Sequence, residues 1–279
     1  MSISIHPCLW FDNNAREAAE LYSRAFDNSR IMEENQFVVN FELFGELVMG
    51  LNGGPYHTIN PSISFMVTYD DPEEIDRAWE VLTKEGIVLM PLDKYGWSDW
   101  YGWVQDKYGV SWQLFLGTKP DLKQRINPTL MFTGKQHGNA EKALNYYTSI
   151  FDNSNIQGIL RYDADENEVE GTVKHSQFTL NGYTMMAMDS SIDHNFQFSE
   201  GLSLVVTCDT QEEIDYYWDN LKKGGTEDQC GWLKDQFGVS WQIVPKILGE
   251  LMQDQEKAPR VVAEFMKMKK FDIEKLKNA

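Results

Sequence analysis

Three segments of this chain recur in the same order, so any fold it adopts must accommodate two versions of one plan. Leu21-Tyr22-Ser23-Arg24-Ala25-Phe26-Asp27-Asn28-Ser29 returns as Tyr146-Tyr147-Thr148-Ser149-Ile150-Phe151-Asp152-Asn153-Ser154, an offset of 125 (147 − 22). Glu73-Glu74-Ile75-Asp76 with Trp79 returns as Glu212-Glu213-Ile214-Asp215 with Trp218, an offset of 139. Gly102-Trp103 through Gly109-Val110-Ser111-Trp112-Gln113 returns as Gly231-Trp232 through Gly238-Val239-Ser240-Trp241-Gln242, an offset of 129. A weaker match pairs His6–Phe11 with Asn127–Phe132 at 121. The second copy therefore gains 4 residues early (125 − 121) and 14 in the middle (139 − 125), then loses 10 (139 − 129). Drift confined between matched segments is what surface loops tolerate. The chain divides into a first copy at residues 1–118, a linker at 119–126, a second copy at 127–246 and a tail at 247–279.

Each copy reads as strand, helix and strands, twice over. Ala15, Ala18, Ala19, Tyr22, Ala25 and Phe26 fall at helical spacing, and Ala140, Ala143, Leu144, Tyr147, Ile150 and Phe151 repeat that stripe. Asn14 with Glu17 suggests a capping box. Asp71, Pro72 and Glu74 open a second helix that ends near Gly86, and its counterpart runs from Thr210 to Gly224. Strand-like runs lie at Phe37–Phe44, Glu46–Leu51, Ser62–Tyr69, Trp103–Gln105 and Val110–Leu116. The middle insertion of the second copy, around Arg161–Glu170, holds five acidic residues in ten. It is expected to be a solvated, mobile loop, and its spacing is not that of an EF-hand. The tail is expected to be mainly helical, with Asp272 capping its last turn.

Bulk properties exclude several classes of function. A formal net charge of −18 repels phosphate backbones and anionic lipid surfaces. Lys267, Lys269 and Lys270 read as the solvated face of a terminal helix, so no nucleic-acid partner is expected. Met1–Pro7 has no basic region leading into an apolar run, and no stretch approaches the length of a membrane span. Cys8, Cys208 and Cys230 are odd in number and form no C-x-x-C, so neither a disulfide framework nor a zinc ribbon is indicated. A cytoplasmic protein with reduced thiols, monomeric or homodimeric and without a membrane partner, is the expectation.

The doubled β-α-β-β-β pattern, each copy ending in a D-x-x-G-x-x-W-Q hairpin, resembles the vicinal-oxygen-chelate superfamily of glyoxalases, extradiol dioxygenases and antibiotic-resistance proteins. The wording is similar to its PhnB-like, 3-demethylubiquinone 3-methyltransferase-like branch. Pro7-Cys8-Leu9-Trp10-Phe11, Leu51-Asn52-Gly53-Gly54-Pro55, Gly231-Trp232-Leu233-Lys234-Asp235, Gly238-Val239-Ser240-Trp241-Gln242 and the tail Met266–Ile273 carry that likeness. The resemblance implies an α+β fold of tandem domains, each built of two β-α-β-β-β modules forming a cupped mixed sheet.

In metal-using members of that superfamily the ligands, typically His, His and Glu, sit at the start of the first and fifth strands and near the end of the eighth. Carried over, those positions are His6, Ser62 and Gln113 in the first copy and Asn127, Gly201 and Gln242 in the second. Alternation places His6, Cys8 and Trp10 on one strand face, as it does Ser62 with Ser64 and Ser111 with Gln113. Asn127 and Thr129 are the second-copy equivalents of His6 and Cys8. A divalent ion wants several anionic or imidazole donors, which these residues do not supply, so no metal and no cofactor is expected. Gln113 and Gln242 read equally as buried amides satisfying their neighbours and as ligand contacts. Cys8 reads as a small buried apolar residue, with no general base placed beside it. Trp97, Trp100 and Trp103, with two tyrosines, lie in a segment of which the second copy has lost ten residues; they could wall an apolar pocket or pack an interface.

The sequence favours a metal-free protein that binds a small apolar or aromatic ligand. Two alternatives stand beside it: a metal-dependent isomerase, lyase or dioxygenase using the first copy, and a scaffold in which tandem copies imitate a dimer. Methyltransferase chemistry has no support, because no G-x-G-x-x-G or other dinucleotide-type cofactor motif is present.

Overall fold

A computed structural model describes residues 3–117 and 124–279. Four β-α-β-β-β modules follow one another. The first is β1 (Ser4–Phe11), α1 (Ala15–Ala25), β2 (Arg30–Glu34), β3 (Val38–Leu43) and β4 (Glu46–Asn52). The second is β5 (Ile63–Tyr69), α2 (Pro72–Leu82), β6 (Ile87–Tyr95), β7 (Ser98–Gln105) and β8 (Ser111–Leu116). The third is β9 (Ile126–Phe132), α3 (Ala140–Ile150), β10 (Asn155–Arg161), β11 (Val173–Leu180) and β12 (Tyr183–Asp189). The fourth is β13 (Leu202–Cys208), α4 (Gln211–Leu221), β14 (Thr226–Glu227), β15 (Trp232–Lys234) and β16 (Ser240–Pro245). Residues 119–123 of the expected linker lie outside the described residues, and Ile126 already opens β9.

The modules build two eight-stranded mixed sheets, ordered β14-β15-β16-β13-β1-β4-β3-β2 and β10-β11-β12-β9-β5-β8-β7-β6. Each sheet takes one module from each copy. Module one joins module four through antiparallel β1 and β13, with Cys8 opposite Ser203. Module two joins module three through antiparallel β5 and β9, with Ser64 opposite Thr129. The expectation that each copy's own two modules share a sheet is thereby corrected, and the repeat explains why the sequence does not decide it. Modules two and four have nearly the same edge, so local pattern cannot say which one completes the sheet of module one.

Helices cover one face of each sheet. Ala15, Ala18, Ala19, Leu21, Tyr22 and Ala25 form the buried stripe of α1, and small alanines let the helix lie close to the sheet. Glu17 does not complete a capping box there. The first turn is held from across the fold instead, by Asn52 Oδ1 accepting from Ala15 N at 3.0 Å. Asp189 Oδ1 does the same for α3, accepting from Gly138 N and Ala140 N. Asp71 caps α2, Thr210 forms a full capping box on α4, and Asp272 caps the last helix of the tail.

The D-x-x-G-x-x-W-Q element is a buried knot that holds a hairpin. Asp235 Oδ1 accepts from Phe237 N and Val239 N, while Oδ2 accepts from Trp241 Nε1 at 2.8 Å and from the Tyr147 hydroxyl at 2.7 Å. Gly238, at φ +88°, makes the turn that brings those donors round. Asp106 repeats the arrangement with Tyr108 N, Val110 N and Trp112 Nε1. Burial pushes both carboxyls up to about 6, against the pull of these donors.

Two differences between the copies acquire a structural meaning. The acidic segment after β10 is largely exposed, and two of its carboxylates make specific contacts. Glu166 pairs with Lys174, and Glu168 accepts from Ser190 Oγ at 2.9 Å and from Ser191 N at 2.6 Å. The ten residues lost later are replaced by the tail, which comprises α5 (Ile247–Gln253), α6 (Ala258–Phe265) and α7 (Ile273–Lys277). Met268 O and Lys269 O accept from Cys230 N and Gly231 N, the positions where β7 meets β6 in the first copy. A side chain at Gly231 would strike the ring of Phe271 at 2.5 Å, so glycine there admits the tail. No helix among the described residues is long and apolar enough to cross a membrane.

Candidate functional site

On each sheet the face turned away from the helices forms a cup, and the register brings equivalent residues into one row. In the first cup the row is His6, Val205, Gln242 and Trp232; in the second it is Asn127, Met66, Gln113 and Trp103. Both rows cross the repeats. The structure therefore regroups the carried-over positions: His6 stands with Gln242 and not with Gln113, whereas Gln113 stands with Asn127. Ser62 lies further along β5, where its carbonyl accepts from Met131 N at 2.8 Å, and Ser64 is the serine that meets the glutamine. Gly201 has no side chain to offer. Its carbonyl is taken by Trp10 N, and a Cβ there would collide with the Thr58 backbone at 2.3 Å.

The row of the first cup is uncharged. Gln242 Nε2 donates to Ser203 Oγ at 2.9 Å, and Cys8 lies beside both. Burial pushes the Cys8 thiol up to about 12 and the His6 imidazole down to about 4, so both are uncharged at neutral pH. His6 is 6% exposed, and neither ring nitrogen has a partner. Trp10 closes one side. Its Nε1 donates to Gly54 O at 2.7 Å, and its ring meets His57 at 4.6 Å and Trp232 at 5.9 Å, both edge-on. Glu200 joins this rim, 2.6 Å from Lys234 Nζ and 3.6 Å from His57 Nδ1.

The second cup is rich in methionine. Alternation and register put Met66, Met90, Met131, Met186 and Met188 on the cup face with Trp103 and Tyr101. Tyr101 donates to Gln113 Oε1 at 2.7 Å, and Gln113 Nε2 donates to Ser64 Oγ at 2.7 Å. Trp103 Nε1 donates to Ser111 Oγ at 2.6 Å. Thr129 stands opposite Ser64. Asn127, 3% exposed, is left with an unpartnered Oδ1. Trp97 lies at the rim, 56% exposed and stacked on Tyr95 at 5.0 Å. Trp100 turns to the other side of the sheet, where its Nε1 reaches Asp76 on α2 at 2.8 Å. Of the three tryptophans expected near Gln113, the structure therefore brings Trp103 beside it and takes Trp100 away.

Sequence reasoning missed Tyr101 as a partner of Gln113 and missed the methionines. The signal was present, since Met186 and Met188 alternate within β12 and Tyr101 sits two positions from Trp103 on β7. The metal that the superfamily uses does not fit these donors. The first row offers one imidazole, one amide and a nearby protonated thiol; the second offers amides and hydroxyls. Neither supplies a carboxylate to neutralise a divalent charge. Among the described residues no three His, Cys, Asp or Glu side chains are grouped to hold an ion.

Comparison with known proteins follows the repeat. The family model described as 3-demethylubiquinone-9 3-methyltransferase matches twice, over residues 3–115 and 124–244. A PhnB protein from Bacillus cereus is 45% identical over 44% of this chain and 99% of its own, with a TM-score of 0.41. Glyoxalase I from Zea mays is 11% identical over 91% of this chain and 97% of its own, with a TM-score of 0.57, which is a likeness of fold. A comparison with curated proteins finds no match.

Proposed function

The chain belongs to the 3-demethylubiquinone-9 3-methyltransferase family, in the PhnB-like branch of the vicinal-oxygen-chelate fold, and we propose that it binds a small apolar or aromatic molecule without a metal ion. The observation that carries this reading is the unpartnered Asn127 Oδ1 at the end of an otherwise satisfied row. A buried polar atom without a partner costs about 1–3 kcal/mol, and a bound donor group removes that cost. The lining beside it suits an apolar body. Methionines adapt to irregular shapes, and Trp103 and Tyr101 offer flat aromatic surface. Covering about 150 Å² of apolar surface stabilises a complex by about 4 kcal/mol before the costs of association. Gln113, fixed between Tyr101 and Ser64, orients the ligand through its remaining hydrogen-bonding capacity. The methyltransferase activity in the family's name is not part of this proposal, since neither mixed sheet offers a dinucleotide-type cofactor crevice.

The test is a melting-shift screen of small aromatic and aliphatic amides and alcohols on the full chain, repeated on Trp103→Ala and Trp232→Ala. Binding in the second cup requires shifts that Trp103→Ala abolishes and Trp232→Ala keeps. Shifts that survive Trp103→Ala would refute the assignment, and a screen with no binder would leave the scaffold reading standing.

A further inference from the structure

We propose that the chain carries a further site for a short-chain monocarboxylate, in a pocket of about 110 Å³ at the end of β9 that shares Met131 with the rim of the second cup but not Gln113 or Trp103. The pocket lies against a connection that the second copy lengthens. Seven residues (133–139) connect β9 to α3, against three (12–14) between β1 and α1, and Thr133, Lys135 and Gln136 of that longer connection form one wall. Phe198 and Phe237 form the opposite wall, both edge-on to buried Phe132, at 5.0 and 6.2 Å. By the repeat offsets, their first-copy counterparts are Ile59 (198 − 139) and Tyr108 (237 − 129).

Three features of the lining specify the ligand. Thr133 is 3% exposed, and its Oγ1 has no hydrogen-bond partner, so the wall presents a free donor. Lys135 has no acidic partner among the described residues, which leaves one positive charge uncompensated at the pocket. The carboxylates of the adjoining segments are already engaged: Asp189 accepts from Gly138 N, Ala140 N and Val173 N, and Asp235 from its four donors. A single anionic head fits this set, with the Thr133 hydroxyl and the Lys135 ammonium as donors. Met131 and the two phenylalanines leave the far side apolar. A cavity of about 150 Å³ accepts benzene, so this smaller one holds a molecule of about four or five heavy atoms, such as acetate or propionate.

The experiment uses full-length protein with methionine methyl groups labelled with carbon-13, the Met131 signal being assigned by Met131→Leu. Sodium acetate, propionate and hexanoate are titrated in turn, with sodium chloride at matched ionic strength. Saturable movement of the Met131 signal is expected with acetate and propionate and not with hexanoate or chloride. Lys135→Gln and Thr133→Val should each weaken acetate binding about fivefold. The unchanged spectrum of the other methionines establishes that these variants fold. Trp103→Ala should leave acetate binding intact, which separates this site from the cup. Equal response to chloride, unaltered binding in both variants, loss of binding in Trp103→Ala, or no saturable movement would each overturn the proposal.

Discussion

Replacing Tyr147 by Phe removes one oxygen from a fully buried site and tests how the hairpin knot is held. The Tyr147 hydroxyl donates to Asp235 Oδ2 at 2.7 Å, one of four donors around a carboxylate that is 3% exposed. A hydrogen bond to a charged group contributes about 1.5–3 kcal/mol, whereas one to a neutral group contributes about 0.5–1.5 kcal/mol. The first copy contains its own control. Tyr22 faces Asp106 in the equivalent place, yet its hydroxyl closes no hydrogen bond of normal geometry. Tyr147→Phe should therefore cost about 1.5–3 kcal/mol above pH 7, and Tyr22→Phe less than about 1 kcal/mol. The pH dependence has a definite sign. Asp235 titrates at about 6 when folded, above the ordinary 3.8, so the stability tied to its protonation is complete below about 4 and lost as pH rises through 6. Tyr147 supports the charged form, so the penalty of Tyr147→Phe should be largest above 6 and fall by about half near pH 5.5. Equilibrium urea unfolding of both variants, at about pH 5.5 and about pH 8, measures all four quantities. Equal costs at the two tyrosines, or a Tyr147→Phe cost independent of pH, would refute the reasoning.

Two further outcomes follow from the sheets and the cups. An isolated first copy, residues 1–117, leaves β1 without β13 and β5 without β9, so it should fold only as a homodimer in which two copies complete each other's sheets. Sedimentation equilibrium checks this, and a stable folded monomer would contradict it. Protein incubated with Zn²⁺, Mn²⁺ or Fe²⁺ and then dialysed should retain less than one equivalent by elemental analysis. Stoichiometric retention abolished by His6→Ala would promote the metal-dependent reading.

Much of the fold was legible because local signals agreed with one another. The alanine stripe of α1, the caps at Asp71, Thr210 and Asp272, and the paired D-x-x-G-x-x-W-Q elements all sit where their patterns placed them. Asn14 misled because the first turn of α1 is capped by Asn52, a contact no local window contains. β2 and β6 escaped notice because their residues are largely exposed, so no alternation of burial marks them. The candidate site was legible residue by residue but not as a set. Alternation put His6 and Cys8 on one face, yet only long-range register reveals that Gln242 stands in their cup.

The exchange of modules also governs how this chain can mature as it is made. Ser4 pairs with Thr207, so β1 emerges 203 residues (207 − 4) before its partner. At about 5–20 residues per second that interval lasts about 10–40 s, during which one flank of β1 is an open edge. The second sheet is complete once β12 is made, at residue 189, whereas the first waits for β16, at residue 245. The N-terminal strand therefore waits longer for its neighbour than any other strand of the two sheets, and its open flank is where a second chain would pair with it first.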